Sequence, residues 1–236
     1  GADVASVKEA RVGIDLRPLL QREIRIGTIT LKHPIISIER DRDGYFNFQK
    51  PEDADVRILA LGLSKVSLSE GTLLFANKQS GEGFEALDCS LKIDHLRLPG
   101  GKSSGLMKNL SLTVNLACGE IRKNGFTVSD LKLSAAGKNG VFDFKPVTMG
   151  VFGAQGSGSI RADFSDVAPH FDVRYALPQF RIEEFFKTLS PQKVAVGSMD
   201  FSANLSMHGK TVNEMRQTAE GQILLRGKNL TLNGRD

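Results

Sequence analysis

The chain has 236 residues, 40% hydrophobic and 25% charged, with 2 Cys and no Trp. This is the composition of a folded protein with enough chain to bury a core, which excludes wholesale disorder. Two cysteines exclude a disulfide-framework fold and a four-cysteine zinc module. The net charge of +4 comes from 31 basic and 27 acidic residues scattered along the chain, and makes no case for nucleic acid. No apolar run approaches the roughly 20 residues that span a bilayer.

Gly1-Ala2-Asp3 offers no initiating Met, no basic-then-apolar signal region and no cleavage motif. The other end, Asn229 to Asp236, stops within strand-like alternation. The expectation is a piece of a longer chain, with a membrane anchor lying upstream. Val12, Ile14 and Leu16 open a series of period-2 runs. Arg17-Pro18-Leu19-Leu20-Gln21 suggests one helical turn. Gly27, inside Ile24–Leu31, shifts the alternation from even to odd positions, as a bulge does. Residues 51–57 read as a short helix or an irregular loop.

Further along, Leu87, Cys89, Leu91 and Ile93 alternate with polar residues. So do Leu110, Leu112, Val114 and Leu116, then Phe171, Val173, Tyr175 and Leu177, then Met199 to Met207, and finally Leu230 and Leu232. Each is a strand with one apolar and one wet face, the mark of an antiparallel sheet. Turn signals stand at Asp41–Gly44, Pro99–Gly101, Asn124-Gly125, Asn139-Gly140 and Asn233-Gly234. Helical signals are few. Ile182, Phe185, Phe186 and Leu189 give one amphipathic helix over about 179 to 189. Thr211 to Glu214 has the spacing of a capping box, with Met215 and Ala219 on the face of Val212.

About a dozen strands, ~4.8 Å apart and ~20 Å long, present an apolar face on the order of 1,100 Å². Two helices ~17 Å long and ~10 Å wide cover about 340 Å². Either the sheet closes on itself as a sandwich or barrel, or it leaves an apolar groove for something else to fill.

Chemistry-bearing motifs are scarce. His33, His95, His170 and His208 have no partners at metal-ligand spacing, and no nucleophile elbow exists. Gly150 to Gly158 superficially resembles a phosphate loop, but it lacks the Gly-Lys-Ser/Thr ending and leads into another strand run, so a hairpin is expected. Glu39, Asp41 and Asp43 near Gly44 lack the calcium-loop spacing and read as a plain turn. Cys89 falls on an apolar phase and Cys118 ends a strand. A disulfide between them needs Cα atoms within about 7 Å, which spacing leaves open. The phenylalanines lie mostly in strand runs and read as packing.

Four stretches in order carry a resemblance: Val12–Leu20 with its Pro-Leu-Leu, Arg22–Ile26, Ile29–Ile36, and Ile38–Asn47 with its Arg-Asp-x-x-Gly-like turn. Phe180–Leu189, Gly197–Gly209, Gly221–Gly227 and Leu232–Asp236 add to it. Together they resemble the AsmA family. The resemblance implies a bacterial envelope role: a periplasmic domain anchored to the inner membrane, linked to outer-membrane assembly. It also implies a sheet like those of the TamB and chorein-type bridge-like lipid transfer proteins.

These readings converge on a mainly β chain: a large curved antiparallel sheet forming an open apolar groove or half-open sandwich, with about two short amphipathic helices. It forms one domain over residues 1–236, with a sub-boundary near 100–105. The expected function is non-enzymatic binding of lipid acyl chains in support of phospholipid transport between the two membranes, with a scaffold for outer-membrane protein assembly as the alternative. The groove candidates are Leu91, Ile93, Leu112, Val114, Phe201 and Leu205. No catalytic residue, metal or cofactor is expected. The expected partners are a phospholipid or other acyl-chain lipid, the inner membrane through the upstream anchor, and envelope proteins, with no nucleic acid.

Overall fold

A computed structural model describes residues 5–14, 26–43, 45–47, 63–97, 106–123, 125–189 and 195–232. The Arg17–Gln21 turn, the 51–57 segment, the Pro99–Gly101 and Asn233-Gly234 turns and the sub-boundary near 100–105 lie outside the described residues.

The strands are β1 (Ala5–Ser6), β2 (Glu9–Ile14), β3 (Ile26–Lys32), β4 (Ile35–Arg40), β5 (Lys65–Asn77), β6 (Glu82–Arg97) and β7 (Ser111–Lys123). They continue as β8 (Phe126–Lys138), β9 (Val141–Val151), β10 (Ala154–Asp163), β11 (His170–Arg181), β12 (Ala195–His208) and β13 (Glu220–Leu232). Among the described residues, three short helices are α1 (Leu106–Asn109), α2 (Ile182–Leu189) and α3 (Val212–Gln217). All 13 described strands share one open sheet, in the order β1-β4-β5 and then consecutively to β13, with β2 beside β3 and β3 beside β5.

From β5 onward every neighbour pair is antiparallel, as the alternation predicts. The N-terminal end departs from that expectation, because β3 and β4 both pair with β5 in parallel. Together they form one strand line, broken where Pro34 has no N–H to give the ladder. The chain still closes over the break: His33 N donates to Ser69 O and Thr72 N to Pro34 O. Gly27 is the bulge expected, since Gly13 pairs Thr28 while Ile14 pairs Ile26.

A second set of bulges crosses the sheet. Glu70, Asp88, Asp130, Gln179 and Asn229 take the left-handed conformation, with φ of 53°, 50°, 50°, 53° and 51°. The register shifts beside Glu70, Asp130 and Gln179. An extra residue in a strand switches which parity faces the core. The alternation therefore changes phase here while the apolar side is kept. Ala86 packs with Cys89 and Cys118, whereas the sequence alternation put Leu87 on that face; Leu87 pairs instead with Glu120. The backbones approach so closely that a Cβ at Gly119 would stand 3.3 Å from that of Asp88.

Helix α2 begins later than its pattern implies. Gln179 is a bulge whose N–H donates to Asp200 at 2.9 Å. Phe180 and Arg181 remain paired with Met199 and Ser198, so the helix opens at Ile182. Helix α3 carries the predicted cap, with Glu214 N donating to Thr211 Oγ1 at 3.2 Å. The Glu214 carboxylate takes the N–H of Lys210 at 2.7 Å, one residue before the box position. The apolar face expected for this helix does not form: it ends at Gln217, before Ala219, and Val212 is exposed.

The Gly150–Gly158 segment is the β9–β10 hairpin, turning at Phe152-Gly153. Asp41 Oδ1 accepts from the N–H groups of Asp43 and Tyr45, both at 2.9 Å, which fixes the acidic turn by its own backbone.

Candidate binding face

Residues paired across neighbouring strands share a face, so the register lays out each surface rank by rank. One rank runs Ala10, Leu31, Leu68, Leu91, Leu116 and Leu133. It continues through Val147, Gly158, Tyr175, Ala203 and Ile223. The next runs Val12, Ile29, Val66, Ile93, Val114 and Ala135. It continues through Phe144, Ile160, Val173, Leu205 and Gly221. A third joins Leu112, Gly137, Phe142, Ala162, Phe171 and Met207. No charged residue interrupts these three rungs.

All six candidates fall on this face. Leu91 lies on the first rung, Ile93, Val114 and Leu205 on the second, and Leu112 on the third. Phe201 lies on the neighbouring rank between Leu177 and Leu225. All six are half-buried. Phe201 differs in its surroundings, since it packs on the buried cluster of Val151, Leu177 and Phe180. That cluster ends the face. Phe152 meets Phe185 of α2 edge-on at 5.4 Å and leans on Phe126 at 5.4 Å. The helix is tied down where Gly197 N donates to Glu183 Oε2 at 3.3 Å.

Beside the first rung the two cysteines are direct cross-strand partners and form a disulfide, with Cα atoms 4.0 Å apart. Both are buried. The pairing follows from the β6–β7 register, which their spacing of 29 residues does not reveal.

Tyr175 is the polar exception on the apolar side. Its ring lies over two glycines: a Cβ on Gly156 would stand 2.1 Å from its hydroxyl oxygen, and one on Gly158 2.8 Å from its ring. The hydroxyl is shielded from solvent and has no hydrogen-bond partner among the described residues. Burial pushes its pKa up, which keeps the proton on the oxygen. Alternation places Tyr175 on this face, but only the register shows the glycines beneath it.

The opposite face is polar. One rank runs Asp94, Thr113, Ala136, Asp143, Arg161, Asp172, Ser206 and Glu220. Arg161 binds Asp143 at 3.0 Å. Burial works to raise the pKa of Asp94, but hydrogen bonds from Lys65 and Lys92 outweigh it and hold the carboxyl below its ordinary value. Asp143, Lys145, Arg161, Asp172 and Arg174 line a mixed-charge depression.

Ser206, His170 and Asp172 meet on this face. Ser206 Oγ lies 3.1 Å and Asp172 Oδ1 3.3 Å from the same nitrogen, Nε2 of His170. A relay needs the hydroxyl and the carboxylate on opposite ring nitrogens, so this trio is not wired as one. Among the described residues, no three His, Cys, Asp or Glu side chains group as metal ligands, and no helix is long and apolar enough to cross a membrane.

No curated protein and no solved structure matches the chain. A family model does match, over residues 98–235, from the segment after β6 to just past β13. The motif block of residues 12–47 lies outside it. More than half of the chain is covered, and the chain belongs to the AsmA family, a family of the bacterial envelope.

Proposed function

We propose that this chain is a non-enzymatic periplasmic domain that holds lipid acyl chains against its apolar face and supports phospholipid movement between the inner and outer membranes. In the parent protein it is tethered to the inner membrane by an anchor outside this sequence. One observation carries the reading: two uninterrupted apolar rungs cross the sheet from β2 to β13, and Leu91, Ile93, Val114 and Leu205 on them are only half-buried. Hydrocarbon laid on such a face gains on the order of 0.8 kcal/mol per buried CH₂. Headgroups stay in water, and movement along equivalent rungs needs no covalent step. The Cys89–Cys118 disulfide favours an oxidising compartment such as the periplasm.

The test is to purify the chain and identify co-purifying lipid by mass spectrometry. Phospholipid should be found, and Leu112→Asp or Leu205→Asp should remove it. A lipid-free wild-type chain, or two variants that keep full lipid load, would count against the reading.

The second reading, a scaffold for outer-membrane protein assembly, is favoured by β13. Its Ile223, Leu224, Leu225 and Leu230 are exposed on a strand that, among the described residues, is paired along one side only, which suits strand addition by a partner. Dye binding separates the two: the acyl-chain reading requires strong binding of a hydrophobic dye that Leu112→Asp abolishes.

A further inference from the structure

We propose that Tyr175 is a specificity-determining residue on the apolar face, where its hydroxyl donates a hydrogen bond to an ester carbonyl of a bound acyl lipid. This rests on the acyl-chain reading above and names the substrate class within it: ester-linked lipids over their ether-linked counterparts.

Tyr175 stands within the first rung, between Gly158 and Ala203. Its neighbours on the same face, Gly156, Val173 and Leu177, have no polar side-chain atoms. A tyrosine confined to apolar surroundings normally finds a partner for its hydroxyl. This one has none among the described residues. Phenylalanine would fill the same space without that cost, and the chain uses Phe freely elsewhere on this side, at Phe142, Phe144, Phe171 and Phe201. Two glycines further lower the surface so that the ring lies flat and the oxygen sits over Gly156.

The chemistry then selects the acceptor. The hydroxyl keeps its proton, so it donates. No cation shares its face nearby, so a phosphate oxygen brought there would be a buried charge without a partner. A neutral acceptor is required. On an acyl lipid that acceptor is the ester carbonyl, which joins the hydrocarbon held by the rungs to the headgroup left in water. Met149 packs on the same cluster as Tyr175. Unbranched and adaptable, it is the side chain that yields to admit the carbonyl.

The experiment uses the full chain and two probes: vesicles of dioleoyl phosphatidylglycerol, and vesicles of its diether analogue with the same headgroup and chains. The chain is re-isolated and the bound lipid counted by mass spectrometry. The wild type should retain the diester over the diether by roughly three- to tenfold, the range of one hydrogen bond. Tyr175→Phe should bring the ratio to about one while leaving diether uptake unchanged. Its thermal midpoint should stay level or rise, because a buried unpaired donor is removed. Equal uptake of both lipids by the wild type overturns the assignment and leaves the acyl-chain reading standing. A preference that survives in Tyr175→Phe does the same. Uptake of neither lipid by the wild type overturns both.

Discussion

Near α2 the apolar side is closed: Val151, Leu177, Phe180 and Ile182 are buried under a cluster of phenylalanine rings. A few ranks away Leu91, Ile93, Val114 and Leu205 have the same chemistry on the same sheet but are only half-buried. The difference lies in the cover. Where the helix folds back, apolar side chains become core and contribute to stability. On the two long rungs these four residues are left half-exposed, while on the third rung Phe142 is buried against Phe164. One sheet thus separates into a part that holds the fold and a part available for binding, and Phe201 sits at their boundary.

Stability measurements should separate the two regions. Phe180→Ala should cost about 3–5 kcal/mol in denaturant unfolding, the usual loss for a buried aromatic. Replacing Cys89 and Cys118 by Ala should cost about 2–4 kcal/mol, because the crosslink closes a long loop beside the rungs. Leu205→Ala should cost only about 1 kcal/mol, since much of its side chain is already in water. A Leu205 loss equal to that of Phe180 would show that the rungs are covered core.

The smallest effect concerns pH. The Asp200 carboxyl is held below its ordinary value of 3.8, first by the N–H of Gln179 and then by Lys228. A carboxyl depressed in the folded state adds stability above its ordinary pKa, and that contribution is lost as pH falls through the folded value. Asp200→Asn should therefore flatten the part of the acid limb that begins near the ordinary value of 3.8 and runs below it, seen as a smaller drop in denaturation midpoint. An unchanged slope would show that the bulge leading into α2 does not depend on that charge.

Much of this was legible in the sequence. Period-2 alternation marks the strands β6, β7, β11 and β12, and Gly27 announces its bulge because glycine punctuates a strand visibly. The crossing line of bulges was hidden. Its left-handed positions are Glu70, Asp88, Asp130, Gln179 and Asn229, residue types common on any wet face, so the change of phase at Leu87 passed unseen. The parallel entry into β5 was hidden too, because strand direction depends on where the connecting segment returns. Candidate residues such as Leu112 and Leu205 could be picked by phase alone. Their assembly into rungs, and the glycines beneath Tyr175, depend on register between strands, which local pattern does not encode.

The rungs have a further consequence, which concerns motion. Ten steps at ~4.8 Å make each long rung about 48 Å from β2 to β13, longer than the ~30 Å hydrocarbon core of a bilayer. A chain lying across the strands and displaced by one of them meets nearly the same surroundings again. On the proposed reading the energy profile along the sheet is therefore a shallow ripple with no deep well, and passage is limited by friction more than by escape. The departures from the repeat, such as the Tyr175 ring lying over Gly158, are then the stations at which a moving lipid pauses.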